Sequence, residues 1–173
     1  SEVSKQTVTE LPVTTETETP TATVQFDDQT VQNGSTIVDI ASATFNGSEN
    51  FNIVVHQATD DNGDGVIQSS EIGAKIAESF ALAPGTHTDI VVNLTQQLAF
   101  TDDVSQLTEN QTLVAMLHTT DTDDSDNDNI VHAAPITRDG TPVFDQAEIT
   151  VFTEDSPASR KVSVGDATVN VND

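Results

Sequence analysis

FNIVVHQATDDNGDGVIQSSE, residues 51–71, decides how the chain is read. Its second part has the form of an EF-hand calcium loop, and its first part is not a helix. An EF-hand loop needs oxygen-bearing side chains at its first, third and fifth positions, a glycine at the sixth for the sharp turn, and a closing glutamate at the twelfth. Residues 60–71 put Asp60, Asn62, Asp64, Gly65 and Glu71 at those places, with Ile67 at the eighth. Calcium is a hard cation that takes roughly six to eight oxygens. The expected ligands are therefore Asp60, Asn62, Asp64, the carbonyl of Val66, Gln68 directly or through water, and both carboxylate oxygens of Glu71. A merely solvated acidic loop has no use for Gly65, Ile67 and Glu71 at this spacing. In a calcium sensor such a loop joins two long amphipathic helices. Here it follows FNIVVHQA (51–58), which reads as a strand. The loop is thus expected between strands, where calcium is structural rather than signalling.

Outward from this loop the chain shows short apolar segments broken by turn chemistry, the pattern of an antiparallel sandwich. Strands are expected at 21–26, 36–45, 51–58, 76–83, 87–94, 112–119, 142–152 and 161–171, with turns at Asn33-Gly34, Asn46-Gly47, Pro84-Gly85 and Asp139-Gly140. The spacing of Ile72, Ile76 and Phe80 also allows a helical turn, placed at Ser70–Ala74 and followed by a strand in which Ile76, Phe80 and Leu82 share a face. The fold class is all-β: an antiparallel sandwich of immunoglobulin-like or jelly-roll type, residues 22–173, preceded by an extended tail, residues 1–21. That tail is rich in Thr and Glu, with Pro12 and Pro20. Val3, Val8, Leu11 and Val13 are spaced along it as anchors that a pure spacer does not require, so it is a candidate donor strand for a neighbouring copy.

The 29 acidic residues against 5 basic ones give a formal charge of −24, which opposes nucleic acid and anionic lipid and favours cations as partners. The same surplus, with little Lys and no Cys, Trp or Tyr, suits saline surroundings where salt screens self-repulsion. No apolar run is long enough to span a membrane. The start at Ser1 and the sequons at Asn33, Asn46, Asn93 and Asn110 lead to the expectation of a secreted or cell-surface protein after signal-peptide removal, with those asparagines as glycosylation candidates.

A second acidic loop, residues 121–129, places Asp121, Asp123, Ser125 and Asn127 as a weaker calcium set, lacking the glycine and the closing glutamate. VVH (54–56) and MLH (116–118) each end in His before acids. If the two strands end at one rim, the loops share a site and His56 meets His118, a pairing that would suit zinc or copper. His87 and His132 join no constellation in the sequence. There is no nucleophile elbow, catalytic cysteine or phosphate-cradling glycine loop, so an enzyme is not expected.

VVHQATDDNGDG (54–65), IAESFALAPGTHTDIVVNL (76–94), TLVAMLHTTDTDDSDND (112–128) and ITRDGTPVFDQAEITV (136–151) together resemble a domain of unknown function found in secreted and surface proteins of haloarchaea and some bacteria. The resemblance covers about residues 23–152 and implies a secreted or surface-attached β-sandwich. It brings no catalytic residue. The chain departs from it in the full EF-hand loop and in strand-like tails at both ends. The functional expectation is a calcium-binding subunit of an extracellular filament, polymerising head to tail with copies of itself by N-terminal strand addition. The alternative is a monomeric cell-surface binding or adhesion module with a Thr-rich spacer.

Overall fold

Phe51 through His56 and Leu113 through His118 are buried without a break, so the two strands that carry them, β4 (Phe51–Ala58) and β7 (Gln111–Thr120), are covered on both faces. This is why neither shows the clean apolar–polar alternation of a half-exposed strand. The structure is a computed structural model that describes residues 20–94, 104–122 and 132–154. In it β4 and β7 are adjacent and antiparallel, with Asn52 opposite His118, Val54 opposite Met116 and His56 opposite Val114.

Around this pair the larger sheet runs β2 (Gln29–Gln32), β11 (Phe144–Phe152), β7, β4 and β5 (Ile72–Glu78), and β8 (His132–Pro135) adds to β7. The smaller sheet is β1 (Ala22–Gln25), β3 (Ile37–Phe45) and β6 (Gly85–Asn93). A two-stranded hairpin, β9 (Thr137–Arg138) and β10 (Thr141–Pro142), turns through Asp139 and Gly140, both at positive φ. Between the sheets lies one core, in which Ile40, Phe45 and Val92 of the smaller sheet meet Phe51, Ile53, Leu113, Leu117 and Ile149 of the larger. Phe45 and Phe51 pack edge to face with centroids 5.8 Å apart. The protein is an all-β sandwich.

Several expectations are corrected in detail. β2 pairs with β11 in parallel, Gln29 with Ile149 through Gln32 with Phe152, so the sandwich is not purely antiparallel. β2 and β8 were not foreseen, because QTVQ offers only the short Thr30-Val31 pair between glutamines and HAAP has no β-branched residue and ends in proline. The helical turn expected at Ser70–Ala74 is a 3-10 turn at Ser69–Glu71, and the strand begins at once at Ile72 and stops at Glu78. Phe80, expected to face inward with Ile76, is 77% exposed. Register shifts at His56 in the β4–β5 pairing break the parity on which that expectation stood. The N-terminal tail up to residue 19, with Val3, Val8, Leu11 and Val13, and the strand expected at 161–171 lie outside the described residues.

The smaller sheet changes face midway. Val38 and Ile40 point inward, then Ala43 and Phe45, while the β3–β6 register stays constant from Ile40–Ile90 to Ser42–Thr88. Asp89 sits at the changeover with φ 53, a left-handed conformation that costs an ordinary L-residue about 1–2 kcal/mol. The kink turns His87 toward the core, where its ring meets Phe51 edge-on at 5.7 Å. Asp89→Gly is therefore expected to hold or raise the urea midpoint, and Asp89→Val to lower stability by about 1–2 kcal/mol. Equal midpoints for the two variants would show that the sheet does not depend on this conformation.

Candidate metal centre

The loop between β4 and β5 is built from its own amides. Asp60 Oδ1 accepts hydrogen bonds from the backbone N–H groups of Gly63 at 2.9 Å and Asp64 at 3.2 Å, and Oδ2 accepts from Gly65 at 2.7 Å. The N–H of Asp64 also reaches Asn62 Oδ1 at 3.1 Å, and that of Val66 reaches Asp64 Oδ1 at 2.9 Å. Glu71 closes the ring, accepting from Gln68 N–H at Oε1 and from Asp61 N–H at Oε2, both at 2.8 Å. Gln68 Nε2 donates to Asp64 Oδ2 at 3.1 Å. These bonds gather Asp60, Asn62, Asp64, Gln68 and Glu71 in one turn and fix each side chain's direction. The N–H of Val66, with smaller help from Gln68 and Asn62, holds the Asp64 carboxyl below its usual range.

Gly65 has φ 82, the left-handed bend that its place in the loop requires, and Gly63 has φ 73. A Cβ at either position would meet nothing within 4 Å, so backbone conformation and not space selects glycine here.

Two contacts dock the loop on the outer face of the larger sheet. Ile67 is buried against Val114 and Met116, with Ala58, Ile72 and Phe144 around them. The Gln146 side chain accepts from Ile67 N–H at 2.7 Å and donates to the Gly65 carbonyl at 3.2 Å. Gln146 belongs to β11, far from the loop in sequence. Only the apolar character of Ile67 hinted at docking, and nothing in the sequence marked Gln146.

An ionised carboxylate offers about four lone-pair directions. Amides take two at Glu71, which leaves oxygen capacity for a cation in a side chain that is otherwise buried. Among the described residues no group of three or more His, Cys, Asp or Glu side chains is disposed to hold a metal ion. Asp60, Asp64 and Glu71 of the expected calcium set are therefore not converged on one point here, and the set draws also on Asn62, the Val66 carbonyl and Gln68.

Because β4 and β7 are antiparallel, their C-terminal ends point to opposite rims, so the expectation that both loops leave one rim is wrong. Asp121 is half-buried, and Asp123, Ser125 and Asn127 lie outside the described residues. Of the sequon asparagines, Asn33 and Asn46 are exposed at turns and Asn93 is half-buried in β6. Asn110 is exposed, with Oδ1 accepting from Val151 N–H at 2.7 Å.

His56 and His118 do meet, by another route. Their rings come together over the outer face with centroids 6.1 Å apart and planes 20° from parallel. His132, which the sequence placed in no constellation, packs edge to face on His118 at 4.8 Å, and its Nδ1 lies 2.5 Å from Glu78 Oε1. β8 delivers it, pairing His132 with Thr120. Burial pushes the His118 pKa down to about 4, against a weaker upward pull from the Ala133 carbonyl. His56 is also lowered, chiefly by burial, and the nearby charges of Lys75 and His132 act in the same direction on both.

The domain of unknown function DUF7282 matches residues 22–150, and the chain belongs to that family. No curated protein and no solved structure matches it.

The unfolded chain protonates His118 near 6.5, whereas the folded state keeps it neutral down to about 4. Its contribution is therefore complete above about pH 6.5 and lost as pH falls toward 4. With no transition metal added and calcium saturating, stability should fall across that window by up to about 3 kcal/mol. His118→Gln should flatten the profile, and an equally steep profile in the variant would contradict the assignment.

Proposed function

We propose that this DUF7282 member is a secreted calcium-binding β-sandwich that serves as the structural subunit of an extracellular filament. The loop at 60–71 carries the reading. Its oxygen-bearing side chains stand at EF-hand spacing, are oriented by the loop's own amides, and are docked through Ile67 and Gln146 on the sheet. Calcium there links β4 to β5 and holds the loop over Val114 and Met116 as a cover. It acts as a structural cation, since strands and not paired helices flank the loop.

Assembly rests on the tail and on the smaller sheet. Among the described residues that sheet ends on β1 and β6 with no further strand. The β1 edge is short, and the Arg138 guanidinium donates to its Ala22 carbonyl. β6 is longer, and its Val91 is exposed. A neighbour's residues 1–21, with Val3, Val8, Leu11 and Val13 as anchors, would add to this β6 edge as a donor strand. A head-to-tail contact of this kind extends into a fibre when its rotation does not close. Copies of charge −24 repel on stacking, so divalent cations or high salt are required between them. Secretion and glycosylation at Asn33 or Asn46 belong to the same reading. Exposed Phe80 favours the second reading, a monomeric surface module that uses an apolar contact of its own.

Calcium at about a hundredfold excess over Kd should add about 2.7 kcal/mol, which for a chain of this size raises Tm by roughly 5–10 °C. Glu71→Gln should remove most of that gain, and a melting curve indifferent to chelator would remove calcium from the account. Removing residues 1–21 should leave a folded, calcium-binding monomer, while the full chain sediments as polymer in calcium and high salt. A monomeric full chain under those conditions would favour the surface module.

A further inference from the structure

The outer face of the larger sheet holds an arrangement that the calcium loop does not use. His56 and His118 are 5% and 2% exposed. Each ring is anchored through Nδ1 to a backbone carbonyl, His56 to Gly73 at 3.0 Å and His118 to Ala133 at 2.8 Å. A carbonyl can only accept, so Nδ1 carries the hydrogen in both rings and Nε2 presents a bare lone pair. Both Nε2 atoms are buried and have no hydrogen-bond partner. Two orphaned acceptors in adjacent buried rings are costly to leave unmade. A ring nitrogen tied to a carbonyl, with the other left open, is how a protein prepares imidazole for a metal.

We propose that His56 and His118 bind one copper(I) ion through their Nε2 atoms, in a two-coordinate site on the outer face of the larger sheet. A metal lies about 2 Å from an imidazole nitrogen, and that nitrogen about 1 Å from its ring centroid. Two rings sharing one ion end to end therefore have centroids about 6 Å apart, and the separation here is 6.1 Å.

The donor set selects the metal. Zinc takes at least three protein ligands even in open catalytic sites, and no such group of His, Cys, Asp or Glu exists among the described residues. Copper(I) is a closed-shell monovalent ion that accepts two nitrogen donors in line. Its single charge is also the less costly one to bury between two neutral rings. Burial keeps both imidazoles neutral at physiological pH, so no proton competes for the lone pairs. His132 lies against His118, held by Glu78, and walls the site. β8, a four-residue strand at the end of β7, is the cover whose local opening admits the ion.

The full chain, labelled with 15N and saturated with calcium, is titrated anaerobically with copper(I) supplied as its acetonitrile complex. The Nε2 resonances of His56 and His118 should shift together and saturate at one equivalent, while those of His87, which sits in the smaller sheet, stay in place. In competition with a copper(I)-specific chelator, His56→Gln or His118→Gln should weaken binding by about 100-fold or more, and His87→Gln should not. Glu71→Gln should keep its copper, which separates this site from the calcium loop. Unmoved Nε2 resonances, as a water bridging the two rings would give, overturn the proposal. So does undiminished copper binding in the double His variant, or a response to zinc(II) with none to copper(I). Should the variants fail to fold, as judged by circular dichroism, the titration of the native chain decides alone.

Discussion

Two adjacent strands buried on both faces set the terms for everything else in this protein. The inner residues of β4 and β7 make the sandwich core with the smaller sheet. Their outer residues, Asn52, Val54 and His56 on one strand and Val114, Met116 and His118 on the other, are also shut from solvent. A second cover is therefore obligatory, and its polar groups need partners. Asn52 donates to the Ser79 carbonyl and accepts from Thr120. Val114 and Met116 are met by Ile67. The loop at 60–71 acts as part of that cover, and a cation that orders the loop stabilises the whole outer face.

The strongly acidic composition fits this design. A sequence that carries a charge of −24 resists compaction by self-repulsion, and every oxygen cluster in it lowers the cost of bringing a cation close. Amide donors do the local work at Asp60, Asp64 and Glu71, since hardly any Lys or Arg is present to pair with them. The few basic residues are used sparingly, as where Arg138 caps the carbonyl of Ala22 at the edge of β1.

Much of the fold was legible because local signals and tertiary needs agree. The long strands at Ile37–Phe45, Phe51–Ala58, Gln111–Thr120 and Phe144–Phe152 carry β-branched and apolar residues bounded by turn chemistry. Gly65 and Glu71 declared the loop through spacing alone. What escaped depends on the neighbour rather than on the segment. β2 is a strand because β11 offers it an edge, and Phe80 turns outward because a bulge at His56 shifts parity. The gathering of His132 onto His118 follows from the β7–β8 pairing, and the clamp by Gln146 from β11 lying next to β7. Antiparallel neighbours end at opposite rims, so reading VVH and MLH as parallel cues put the ends of β4 and β7 on one rim in error while still bringing their histidines together.

The proposal that calcium orders this cover is tested most directly at the amide of Gly65, which donates to Asp60 at 2.7 Å from the bend of the loop. Any cation on that carboxylate must perturb its resonance. Calcium titrated into 15N-labelled protein should move the Gly65 amide to a plateau at one equivalent, leaving Gly140 in the separate β9–β10 turn unmoved. A Gly65 resonance that stays in place, or drifts with Gly140 without saturating, would contradict the account.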